Sequence, residues 1–280
     1  MTKEEVLKRL EEIGSAPKRS LGQNFLVSEN VISKIIESVR KRTPETLIEI
    51  GPGLGALTEA FLETAPQKFV VIELDRTFAE FWRGRASRGQ RLEVMEEDAL
   101  RVDWLKQDWP GRPLVLVSNL PYQISAPLVM ELSALGQGGA PFFNAMILMF
   151  QKEVAERITA RPQTKDYGTL SVVAQNRWRV SKVVDAAPAC FHPRPQIASR
   201  VLAFDFDPDG FGSPSFLKFV RQGFQNRRKL LIKSLKAVDP SWEWSAVLEK
   251  QGHSATVRAE ELTPSNWKEL FHEHQNRRRQ

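Results

Sequence analysis

Short apolar runs alternate along the chain with longer stretches in which apolar residues recur every three or four positions. The runs at 47–50, 69–74, 92–95, 114–118 and 145–150 are rich in Val, Ile, Leu and Phe. Their length and lack of alternation predict strands buried on both faces. The intervening stretches, for example 31–40 and 56–64, carry the helical period. Such alternation predicts a parallel sheet with helices on both faces. Two further β-rich runs, 176–184 and 200–206, follow each other with no long helix between them. They predict antiparallel pairing at the sheet edge, and so an α/β fold with a mixed, mostly parallel sheet of seven strands.

The pattern changes at Asp207-Pro208-Asp209-Gly210, a turn-rich stretch after which the sequence becomes helical, basic and tryptophan-containing. A boundary there predicts one domain over 1–207 and a small α-helical C-terminal domain over 208–280. Thr263-Pro264 marks a helix start, because threonine can cap and proline fits the first turn. The final Arg277-Arg278-Arg279 reads as a solvated tail.

Composition narrows the possibilities. With 280 residues, 41% of them hydrophobic, the chain can bury one large core and a smaller second one. A formal charge of +6, from 40 basic and 34 acidic residues, favours a polyanionic partner. One cysteine, Cys190, excludes an internal disulfide, and with four scattered histidines it offers no metal cluster. No run approaches the roughly 20 apolar residues of a membrane span. The N-terminus has no apolar stretch of the secretory type, so a cytoplasmic location without a membrane is expected.

The chemistry begins after the first strand. Gly51-Pro52-Gly53-Leu54-Gly55 leads directly into a helical pattern, a turn where a ligand can approach bare backbone. Its spacing, G-x-G-x-G, departs from the dinucleotide fingerprint G-x-G-x-x-G and favours S-adenosylmethionine, which has no pyrophosphate to cradle. Glu73 ends the second strand, where a carboxylate can accept from both ribose hydroxyls. Asp98, after the third, is placed to accept the adenine amine of the cofactor.

After the fourth strand comes Asn119-Leu120-Pro121-Tyr122. The Asn119 side-chain carbonyl and the Leu120 backbone carbonyl can accept the two N–H donors of an exocyclic adenine amine. That turns the nitrogen lone pair toward a methyl carbon, with Pro121 stiffening the backbone and Tyr122 stacking on the base. Phe191, in Phe191-His192-Pro193-Arg194-Pro195, is expected to cover the other face of the base. Arg221, Arg227, Arg228 and Lys229 are candidate RNA contacts, with a solvated helix face as the alternative.

These residues resemble the ribosomal RNA adenine dimethyltransferases of the small-subunit type. The likeness runs through Lys18-Arg19-Ser20-Leu21-Gly22-Gln23-Asn24-Phe25-Leu26, the glycine turn, Val71-Ile72-Glu73-Leu74-Asp75-Arg76 and Asn119 to Tyr122. It continues through Gln151-Lys152-Glu153-Val154-Ala155-Glu156-Arg157, the Phe191 segment and Arg227-Arg228-Lys229. The resemblance implies a Rossmann-like methyltransferase fold, with Asn24 and Leu26 helping to close over the cofactor. It also implies dimethylation of two adjacent adenines near the 3′ end of small-subunit RNA, with an immature 30S particle as the partner of a monomeric enzyme. The sequence departs from the family at Gln196, Ala198 and Lys233, where lysine, aspartate and asparagine are usual. Two alternatives stay open: the related large-subunit methyltransferase of macrolide resistance, and an assembly factor whose methylation is secondary.

Overall fold

The computed structural model describes residues 1–18, 21–64, 67–86, 92–109, 111–135 and 141–277. Arg19 and Ser20 of the N-terminal motif, and Arg278 and Arg279 of the tail, lie outside the described residues. Among those described, seven strands form one sheet. They are β1 Thr46–Ile50, β2 Lys68–Glu73, β3 Leu92–Glu96, β4 Leu114–Asn119, β5 Ala145–Gln151, β6 Trp178–Ala186 and β7 Ser199–Phe206.

Their order across the sheet is β3-β2-β1-β4-β5-β7-β6. The first five run parallel to one another, and β7 pairs antiparallel with β5, Ile147 facing Ala203 and Met149 facing Val201. The mixed, mostly parallel sheet expected from the sequence is therefore the one observed. β1 is buried at every position and β4 and β5 at all but their last, which is why their sequences are continuous apolar runs. Because β1 has β2 on one side and β4 on the other, the strand order reverses there. A crevice opens at such a point outside the carboxyl ends of the strands.

One of the helices on this sheet shows how a single stripe is buried. In α2, Glu29–Arg40, the stripe is Val31, Ile32, Ile35 and Val39. They join Leu47, Phe69, Val117 and Ile147 in the main core. Burial of one such side chain is worth about 1.5–3 kcal/mol. Helix α1, Lys3–Glu12, starts on a capping box in which Thr2 and Glu5 exchange hydrogen bonds. Its buried Val6 and Leu10 pack with Phe25, Leu54 and Phe78. A two-stranded ribbon pairs Phe25–Leu26 antiparallel with Phe191–His192.

The chain divides into two compact units, but not at one cut. The first consists of Met1–Leu128, Pro141–Ala155 and Val180–Phe206, the second of Val129–Ala140, Glu156–Arg179 and Asp207–Gln280. The last stretch of the second unit begins at Asp207, beside the boundary expected at 207/208. Two earlier segments belong to it as well, which corrects the single division. The reason is packing: Tyr167, with Val172 and Val173 of the helix Thr169–Arg177, shares a core with Phe216, Trp244, Trp267 and Phe271. Two longer helices close that core, Pro214–Phe224 and Pro264–Arg277. The second starts where expected, with the Thr263 hydroxyl accepting from the Asn266 amide at 3.2 Å. No helix among the described residues is long and apolar enough to cross a membrane.

Candidate active site

The carboxyl ends of β1, β2 and β4, with the segment after β3, surround one cleft in the first unit. β1 hands over to the glycine turn, whose Gly51, Gly53 and Gly55 have φ of +67°, +50° and +92°. A Cβ on Gly55 would lie 2.5 Å from the Trp82 ring, while one on Gly51 would meet nothing within 4 Å. Trp82 is fully buried and its indole N–H donates to the Gly53 carbonyl at 2.9 Å. The turn thus rests on Trp82 at one end and leaves Gly51 bare toward the cleft at the other.

Glu73 closes β2 at 7% exposure. Its Oε2 accepts from the Gly53 amide at 3.3 Å and its Oε1 from the Asp75 amide at 2.8 Å. Burial pushes this carboxyl up to about 7, against the pull of those backbone donors. Asp98 follows β3, and its Oδ1 accepts from the Leu100 amide at 3.0 Å. The serial order of glycine turn and two acids becomes a single rim in space.

A third acid was not singled out from the sequence. Glu49 lies on β1, 2% exposed, and also lines the cleft. Burial pushes its carboxyl up to about 8, with the neighbouring Glu73 adding to the shift, and its Oε2 has no hydrogen-bond partner among the described residues. The available signal was a charged residue inside an otherwise apolar strand, two positions before the first glycine.

β4 ends on Asn119, whose Nδ2 donates to the backbone carbonyl of Asn24 at 3.1 Å. A carbonyl can only accept, so this bond sets which way the amide is turned and reserves Oδ1 as its acceptor. Leu120 is 2% exposed. The Tyr122 hydroxyl meets Ser199 Oγ at 2.9 Å, which tethers the far edge of its ring. Every residue expected at the cofactor, from Asn24 and Leu26 through Gly51, Gly53 and Glu73 to Asp98 and Asn119, lines this cleft together with Leu120, Pro121 and Tyr122.

One expectation needs correction. Phe191 does not line the cleft: its pairing with Leu26 places it in the main core at 2% exposure, with Ala186 and Val201. The ring is a core residue here rather than a second face for a base. Arg227 is paired within the second unit while 39% of its side chain stays exposed. Its guanidinium bonds to Glu260 and donates to the carbonyls of Lys165 at 2.6 Å and Thr164 at 2.9 Å. Arg221, Arg228 and Lys229 remain exposed. Among the described residues no group of His, Cys, Asp and Glu is arranged to hold a metal.

The sheet order, the glycine turn at its switch point and the acids that follow define a Rossmann-like methyltransferase. Its solved relatives in fold include a dimethyladenosine transferase from Plasmodium falciparum, with a TM-score of 0.72 at 24% identity over 90% of this chain and 98% of that one. The 23S rRNA methyltransferase ErmE is also similar, with a TM-score of 0.62 at 23% identity over 89% and 98%. The chain belongs to the ribosomal RNA adenine dimethylase family, whose model matches residues 14–276. It is 44% identical to the Ribosomal RNA small subunit methyltransferase A of Bdellovibrio bacteriovorus, over 96% of this chain and 97% of that protein. The protein of the same description from Acidobacterium capsulatum is 38% identical over 90% and 89%.

Proposed function

We propose that the protein uses S-adenosylmethionine to dimethylate two adjacent adenines near the 3′ end of small-subunit ribosomal RNA, within an immature particle in the cytoplasm. The observation that carries this reading is the Asn119 amide, held by Asn24 with its oxygen free to accept from an amine. The cleft also fits the cofactor. Glu73 presents a carboxylate to a ribose, Gly51 gives close backbone approach, and Asp98 can accept from an adenine amine. The unpartnered Oε2 of Glu49 suits the ammonium of the amino-acid moiety.

When bound, the cofactor supplies an electrophilic methyl carbon on a sulfonium that leaves as a neutral thioether. Asn119 Oδ1 and the Leu120 carbonyl accept the two amine hydrogens and draw the nitrogen out of conjugation with the ring. Its lone pair then points along the line of attack. Tyr122, tethered through Ser199, stacks on the base and fixes its plane. As the carbon–nitrogen bond forms the nitrogen becomes positively charged, and its proton departs to water. No strong base is required of the protein.

The test is methyl transfer from labelled S-adenosylmethionine to undermethylated small subunits, with the modified nucleotides identified by mass. Dimethyladenosine at two adjacent positions is expected. Label appearing on large subunits instead would favour the macrolide-resistance type of activity.

The buried acids make a separate prediction. In an unfolded chain both titrate near 4.5, whereas in the fold they do so at about 7 for Glu73 and about 8 for Glu49. Between those values the folded state holds more protons than the unfolded one. The stability they supply is therefore complete below about 4.5 and gone above about 8. The melting temperature of the ligand-free protein should fall from about pH 5 to pH 8 more steeply than that of Glu49→Gln/Glu73→Gln. Equal slopes would show that the two carboxyls titrate normally. Affinity for the cationic cofactor should rise over the same window, because it binds the ionised acids.

A further inference from the structure

Beside the cleft, but not lining it, sits a buried carboxylate to which the mechanism assigns nothing. Asp75 is 4% exposed. Its Oδ1 accepts from Lys18 Nζ at 3.0 Å and from the Thr77 amide at 3.1 Å, and its Oδ2 from Gln23 Nε2 at 3.0 Å. Gln23 in turn accepts from the Lys18 amide through Oε1 at 2.8 Å. One carboxylate thus grips both ends of a short stretch of chain. Although burial opposes it, the bonds from Lys18 and Gln23 hold this carboxyl below its ordinary range.

What this stretch does next gives the grip its meaning. Gly22, at φ +64°, brings its backbone to Pro121, where a Cβ would lie 4.0 Å from the proline Cβ. Asn24 Nδ2 donates to the Gly22 carbonyl at 3.0 Å, and the Asn24 carbonyl receives Asn119 Nδ2. From Asp75 the contacts run through Gln23, the next residue Asn24 and finally the side chain that orients the amine. Among the described residues, the bond to Asn24 is the one side-chain hydrogen bond that holds the Asn119 amide.

We propose that Asp75, held by Lys18 and Gln23, is a positioning residue for methyl transfer. It fixes residues 21–26 so that the Asn24 carbonyl keeps the Asn119 amide turned with Oδ1 toward the substrate amine. The inference rests on the amine-methylating role of Asn119 proposed above. Loss of the latch would free the Asn24 carbonyl to drift, and Asn119 could then turn its nitrogen to the amine, which repels it.

Lys18→Met and Asp75→Asn test this, with Lys18→Arg as the conservative variant. The Lys18 side chain is 45% exposed, so its replacement does not disturb the core. In the ligand-free protein, amide hydrogen exchange at residues 21–26 should quicken in Lys18→Met and Asp75→Asn and stay near native in Lys18→Arg. Single-turnover methylation should fall between about tenfold and a hundredfold in the first two, with little change in the KM for the small subunit. Lys18→Arg should keep most of the rate. A native rate despite faster exchange would overturn the positioning role. So would a slower rate without faster exchange, or a rate that arginine fails to preserve. Failure of the underlying reading would look different, because the unaltered protein would then transfer no methyl groups to the small subunit.

Discussion

Asn119→Ala is expected to slow single-turnover methylation by about two to three orders of magnitude, the loss typical of removing one preorganised hydrogen-bonding group from a transition state. The variant forfeits both ends of the amide: the oxygen that accepts from the substrate amine and the nitrogen that donates to Asn24. Cofactor affinity should weaken far less, because Glu73, Asp98 and the glycine turn stay in place. Calorimetry with S-adenosylhomocysteine separates the two effects. Asn119→Asp is informative because it preserves shape. A carboxylate cannot donate to the Asn24 carbonyl, so one of its oxygens faces another acceptor and the side chain turns away. The aspartate variant should be no better than alanine. Native turnover in either would refute the orienting role.

The second large effect concerns folding rather than chemistry. Gly55→Ala should destabilise the protein by roughly 2–6 kcal/mol, summing a left-handed backbone cost with overpacking of a closed core. That is a large share of the about 5–15 kcal/mol that holds most domains folded. The clash is specific: the added methyl would meet the ring of Trp82, which is fully buried and bonded to the Gly53 carbonyl. Gly51→Ala provides the contrast, since its Cβ meets nothing within 4 Å. It should cost only the backbone strain of about 1–3 kcal/mol, yet weaken cofactor binding because the methyl enters the cleft. Urea unfolding of both variants checks the difference, and equal midpoints would mean that Trp82 yields.

The central strands were legible because burial on both faces forces a continuous apolar run. β1, β4 and β5 lie within one residue of the positions expected. The tetrapeptide and the two acids were legible through their order after successive strands, an arrangement that the switch point converts into proximity. Glu49 escaped because a single acid in a strand carries no periodic signal, and its meaning comes only from the glycine turn folding back beside Glu73. Phe191 was misplaced for a related reason: the ribbon with Leu26 joins residues far apart in the chain, and no local pattern announces that pairing. Arg227 sits in a basic cluster that reads as solvent-exposed. Which of the three cations is paired within the protein depends on Glu260 and on two carbonyls that only the fold brings near. The Asp75 latch was invisible for the same cause, its members being ordinary polar residues until folding sets them together.

The interleaving of the two units has a consequence for the growing chain. Val173 and Trp267 share one core but stand 94 positions apart. At translation speeds of about 5–20 residues per second, roughly 5–20 s pass between the emergence of the first and the arrival of the second. Until Phe216 and Trp244 arrive part-way through that interval, Tyr167, Val172 and Val173 lack most of the large side chains that cover them in the finished core. The first unit, by contrast, has all of its strands once residue 206 is made. Synthesis therefore delivers the strands around the cleft first and leaves part of the second core waiting for the helix Pro264–Arg277.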